Sequence, residues 1–143
     1  MELFKKITLN ELIEKYPKIF QDYPGNPGRV NWDCPDGWLP VVDILCATIQ
    51  NYVDNTRTYV EHAEEHPVQV TCSQMKEKFG SFRFYTNGND DQVEGMIDMA
   101  ELMCDNTCEV CGTHENLGYT QGWISVRCDK CKGTAKWEPK KQK

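Results

Sequence analysis

Two Cys-x-x-Cys pairs, Cys108-Glu109-Val110-Cys111 and Cys128-Asp129-Lys130-Cys131, stand 16 residues apart. No other feature constrains the fold as much. Two cysteines separated by two residues can turn back onto one ion, and tetrahedral Zn²⁺ takes four thiolates at about 2.3 Å. Gly112, directly after the first pair, suits a tight knuckle that needs positive φ. Leu117 and Tyr119 lead into a hairpin, Gly122 turns it, and Trp123-Ile124-Ser125-Val126 leads out. The expectation is a zinc ribbon in which Cys108, Cys111, Cys128 and Cys131 hold one structural Zn²⁺. Four protein ligands leave no open coordination position for catalysis.

The chain has eight cysteines, enough for a disulfide framework. Its start, Met1-Glu2-Leu3-Phe4-Lys5-Lys6, shows no apolar leader or cleavage site. A reducing, cytoplasmic setting is therefore expected, and metal ligation for the paired cysteines. Cys34, Cys46, Cys72 and Cys104 are scattered and read as small buried apolar side chains. No stretch approaches the roughly 18 apolar residues of a membrane span.

Before the ribbon, the pattern alternates between helix and strand periods. Thr8-Leu9-Asn10-Glu11 has the form of a capping box, with Glu11 reaching back to the Thr8 amide. Leu9, Leu12, Ile13 and Tyr16 then share a helical face. Residues 21–31, rich in Pro and Gly, read as a loop. Asp36 is placed to cap a long helix whose apolar period runs from Val41 to Val60, ended by Pro67. Val68, Val70 and Cys72 alternate with polar residues, Phe79-Gly80-Ser81 turns, and Phe82 and Phe84 alternate again, giving a hairpin. Asn87-Gly88-Asn89-Asp90-Asp91 breaks the sheet and supplies the cap of a third helix, with Val93, Met96, Ile97, Ala100, Met103 and Cys104 on its apolar face. The fold class is α+β: helices packed on a β-hairpin, with a C-terminal four-cysteine zinc ribbon. The expected divisions are 1–106 for the α+β domain, 107–132 for the ribbon and 133–143 for a flexible basic tail.

Charge is unevenly placed. The net charge is −6, yet residues 127–143 carry a local +5, which leaves −11 on the preceding 126 residues. Such a body repels a phosphate backbone, so any nucleic-acid binding must use the tail or a local patch. One patch stands out. Lys76, Lys78 and Arg83 lie among aromatics on the hairpin, where they could hold phosphate while Tyr85 or Trp38 stacks on a base. Ordinary alternation, Phe inward and cations outward, explains the same residues. His62-Ala63-Glu64-Glu65-His66 fits an inverted zinc-peptidase pattern, but Pro67 follows at once and disfavours helical geometry at His66.

Asp36-Gly37-Trp38, the stretch Gln74 to Tyr85, Ala100-Glu101, Thr107 to Gly112, Gly122-Trp123 and Cys128 together resemble a family of uncharacterised bacterial and phage zinc-ribbon proteins. That family carries D-G-W, Q-V-K-E-K-F-G-x-x-R-F-Y and T-C-E-V-C-G in this order. Met75, Ser81 and Phe82 depart from its usual Val, Gly and Leu, and Cys131 stands where relatives often have His. The resemblance implies the fold outline and a phage-encoded accessory protein acting on a host protein in the host cytoplasm; it implies no mechanism.

The expected function is a non-catalytic zinc-ribbon protein that modulates a host protein by direct contact. The rival is a binder of an anionic nucleotide or nucleic acid through Lys76, Lys78, Arg83, Tyr85 and Trp38. A metal-dependent hydrolase built on His62, Glu65 and His66 ranks third.

Overall fold

A computed structural model describes residues 6–21, 31–56 and 69–141. Val60, Pro67 and the His62-Glu65-His66 set lie outside the described residues. Helix α1 spans Leu9–Lys15 and is capped by Thr8, whose hydroxyl oxygen accepts from the Glu11 amide at 3.1 Å. Glu11 closes the cap differently from the expectation, accepting from the Thr8 hydroxyl rather than from its amide. Leu12 is buried; Leu9, Ile13 and Tyr16 are partly so.

The 21–31 loop reading needs one correction. Asn31–Trp32 forms a short strand, β1. It runs parallel to β2 (Thr71–Lys78), which pairs antiparallel with β3 (Ser81–Asn87). Two residues give too little periodicity to be read in advance. The β1 side chains explain the position: the Trp32 indole donates to the Cys72 carbonyl at 2.9 Å and its ring meets Phe20 edge-on. The hairpin turns through Phe79 and Gly80, at φ 54° and 80°. This is the primed turn that matches strand twist, with a phenylalanine in a backbone region that non-glycine residues seldom occupy. Cys72 and Met75 are both buried though three residues apart, and a bulge between Cys72 and Gln74 makes this possible.

Asp36 does not cap the second helix with its side chain. Asp36–Trp38 is a single 3₁₀ turn, and helix α2 follows over Leu39–Asn55. The Leu39 amide donates to the Asp36 carbonyl. Helix α3 spans Asp91–Asp105, with the Asp90 carboxylate accepting from the Val93 amide at 3.0 Å. Helix α3 packs on α2 and β3. Its Val93, Ile97, Ala100 and Cys104 join Leu45, Ile49, Met75, Phe82 and Phe84 in one apolar core. The four scattered cysteines are all buried in it and free. Burial pushes their thiols well up, which leaves them as protonated, apolar filling. No helix among the described residues is long and apolar enough to cross a membrane.

The ribbon comprises β4 (Leu117–Thr120), β5 (Val126–Cys128) and β6 (Trp137–Pro139), with β4 in the centre. Strand β6 corrects the expectation of a flexible tail from residue 133. The cause is Trp137, whose ring lies over Gly118 where a Cβ would sit 2.4 Å from it. Its indole donates to the Arg127 carbonyl at 2.9 Å. The Lys140 ammonium then donates to the Asp105 carbonyl and the Asn106 amide oxygen at 2.9 and 2.8 Å. A charge-rich tail hides one aromatic anchor, and that anchor turns three residues into a strand.

Candidate metal centre

The first knuckle follows α3 directly. The Cys108 amide donates to the Thr113 carbonyl at 2.8 Å, and the Gly112 amide returns to the Cys108 carbonyl at 2.9 Å. Gly112 has φ +82°, the left-handed conformation that closes such a turn without steric cost. The second knuckle closes when the Cys131 amide donates to the Cys128 carbonyl at 3.1 Å. Bonds from Glu109 to Val126 and from Asp129 to Asn116 cross between the two.

These turns bring the sulfurs of Cys108, Cys111, Cys128 and Cys131 within 4.8 Å of one another. The Cys111 and Cys128 sulfurs are 3.8 Å apart. Four ligands at about 2.3 Å around a tetrahedral ion are separated by about 3.8 Å along each edge, so the residues present fit one metal ion. Among the described residues no other group of three or more such donors lies this close. Cys108 and Cys128 are buried, Cys131 is partly so and Cys111 is exposed, so the site has a protein side and a solvent side.

The electrostatics differ between the two sides. Burial works against the Cys108 thiolate, but backbone amides of Cys111, Cys128 and Val110 aimed at the sulfur bring it down to about 7. Burial raises the Cys131 thiol to about 12, and protons shared with the Cys128 and Cys111 sulfurs add to the rise. Cys111 is raised too, first by burial. The backbone thus favours the thiolate at Cys108, whereas Cys111 and Cys131 are shifted the other way.

The body grips this centre through Asp36-Gly37-Trp38. The Gly37 amide donates to the Glu109 carbonyl at 2.8 Å. A Cβ on Gly37 would come within 2.1 Å of the Cys108 carbonyl oxygen, so only glycine permits this approach. The Trp38 indole donates to the Thr107 carbonyl at 2.9 Å, and its ring meets Phe82 edge-on at 5.9 Å. Trp38 is fully buried and offers no face to a ligand, which removes it from the expected stacking set. It links the metal knuckle to the hairpin instead. Gly37 and Thr107 offer no metal donor that would mark them in the sequence as site residues; the D-G-W and T-C-E-V-C-G motifs are the signal, and they meet in space through these two residues.

Lys76, Lys78, Arg83 and Tyr85 stay together. Cross-strand pairs Gln74–Tyr85, Lys76–Arg83 and Lys78–Ser81 alternate with Met75–Phe84, which puts all four on the outer face while Met75, Phe82 and Phe84 face the core. His114 lies outside the four-sulfur cluster, its Nδ1 3.0 Å from the Asn106 carbonyl oxygen.

Fold and site define an α+β body clasped to a four-cysteine ribbon. No family model, curated protein or solved structure matches the chain.

Proposed function

We propose that the protein is a non-catalytic zinc-ribbon module that acts by binding another protein. Four thiolates complete a tetrahedral shell, and Zn²⁺ suits soft sulfur donors; both favour a structural ion. The observation that carries the binding role is an apolar patch at the junction of ribbon and hairpin. Trp123 is 82% exposed, Phe79 72% and Ile124 40%. Gly80, beside Phe79, lies against Ile124 and Tyr119, 3.3 and 3.5 Å from where its Cβ would be. A partner that covers these rings would bury large, rigid aromatic area of the kind that anchors interfaces. The resemblance to bacterial and phage proteins makes a host protein in the host cytoplasm the natural partner, and the acidic body suits a basic rim around it.

The test is affinity capture from host cells with the wild type and with Phe79→Ser/Trp123→Ser. Both substituted side chains are exposed, so the variant should keep one zinc per chain and its helical circular dichroism. Capture of a defined protein by the wild type and its loss in the variant supports the reading. Equal capture by both overturns it.

A further inference from the structure

We infer that the outer face of the β2–β3 hairpin binds single-stranded nucleic acid, a capacity separate from the protein-binding patch. Lys76 and Arg83 are direct cross-strand partners, and Lys78 follows one pair further along. Like charges placed opposite each other on a sheet are destabilising. A stability role would therefore place an acid at one of these positions. Among the described residues none of the three cations has an ion pair. Lys78 reaches only the ring of Phe79, at 6.0 Å. Cations facing one another without a cross-strand acid are what an anionic ligand would use.

The rest of the face says which anion. Tyr85 lies on it, 46% exposed, beside its cross-strand partner Gln74. Asn31 pairs with Gln74 from the other side. An aromatic ring amid amide side chains gives a base something to stack on and edges to hydrogen-bond, neither of which an acidic peptide needs. The cross-strand pairs Gln74–Tyr85, Lys76–Arg83 and Lys78–Ser81 repeat every two residues, about 7 Å along the strands. Lys78, Arg83 and Tyr85 are exposed, so the face is open rather than enclosed. A free nucleotide draws affinity from enclosure, whereas a chain of phosphates draws it from successive charges. A flat row of cations ending in an aromatic ring favours the chain.

The acidic body offsets this at Arg83 and leaves Lys76 and Lys78. Helix α3 packs on the edge strand β3 through Val93, Ile97 and Ala100, and its Glu94, Asp98 and Glu101 line one pocket with Arg83 and Tyr85, whereas Lys76 and Lys78 lie outside that pocket. Glu101 accepts from the Phe84 amide at the β3 edge at 3.2 Å and interacts with Arg83. It tempers one cation of the three.

The experiment is fluorescence anisotropy of the full chain, zinc loaded, with labelled 12-nucleotide oligothymidylate and oligoadenylate RNA. ATP, duplex DNA and polyglutamate serve as competitors. Binding is expected at about 50 mM salt, with a log–log salt slope of about −2 for three phosphate contacts. Lys76→Gln/Arg83→Gln should weaken it by tenfold or more and flatten the slope towards about −0.7. Tyr85→Ser should lose on the order of tenfold while Tyr85→Phe holds. Phe79→Ser/Trp123→Ser should bind oligonucleotide unchanged, which separates failure here from failure of the protein-binding reading. The proposal is overturned if neither oligonucleotide binds. It also falls if the Lys76/Arg83 variant binds equally, or if polyglutamate or ATP competes as well as the oligonucleotide does.

Discussion

The body and the ribbon are stabilised by different means. The body buries a continuous apolar core from Leu12 through Trp38, Ile49 and Phe82 to Cys104, to which the ribbon adds Val126. The other deeply buried ribbon side chains are Thr107, Thr120, Ser125, Cys108 and Cys128, three hydroxyls and two thiols of the four-sulfur cluster. Apolar burial stabilises by about 25 cal/mol per Å², and the ribbon has too little of it to fold unaided. Its order rests on the four-sulfur cluster and on the clasp of Gly37 and Trp38. The lesson is that the two regions should fail separately, each by its own kind of damage.

The largest separation comes from the sulfurs. Structural zinc supplies on the order of 10 kcal/mol in small finger peptides, comparable to a domain's whole net stability. Cys108→Ser or Cys128→Ser should lose the metal and the ribbon's order, measured by metal analysis and by exchange of the ribbon amides, while helical dichroism from α2 and α3 persists. Next come the clasp residues, where the regions meet. Trp38→Ala should cost about 3–5 kcal/mol and lower zinc affinity as well, because the Thr107 carbonyl loses its donor. Gly37→Ala forces Cβ onto a backbone carbonyl and should cost about 1–3 kcal/mol, seen as a lower denaturation midpoint.

A smaller effect belongs to the body alone. The Glu101 carboxyl is raised, by burial first, then by Asp98 and Asp105, against the lowering influence of the Phe84 amide and Arg83. A carboxyl raised on folding holds its proton more tightly in the folded chain. Its contribution is then most favourable below the unfolded value of about 4.3 and is lost as pH rises through the folded value. Glu101→Gln keeps an acceptor for the Phe84 amide, so it should stabilise at pH 7. The gain should fade as pH falls and Glu101 itself protonates, which denaturation midpoints across pH will show. Smallest of all, His62→Ala and His66→Ala should shift stability by no more than about 0.5 kcal/mol and leave zinc at one per chain. Loss of metal or of an activity in a folded histidine variant would replace the binding module with a metalloenzyme.

Much of this architecture was legible in the residues. The cysteine spacing announced the four-sulfur cluster because ligand geometry is local. The apolar faces of α1, α2 and α3 followed their periods because burial selects side chains turn by turn. What escaped reading depended on distant partners. Strand β1 has only two residues and is defined by β2. Strand β6 is defined by one tryptophan lying over Gly118, in a segment whose charge suggested solvent. Trp38 looked like a ligand platform because an aromatic near a loop carries no mark of burial. Its partners, Thr107 and Phe82, lie 69 and 44 residues away.

Amide hydrogen exchange before and after chelation, with metal content counted in parallel, tests the divided account most directly. One zinc per chain is expected. Its removal should expose the amides of Cys108, Glu109, Gly112 and Cys131, together with Gly37 in the clasp. The amides of α2, β2 and β3 should stay protected. A chain that carries no zinc, or whose ribbon amides stay protected in chelator, would contradict a ribbon held by its metal.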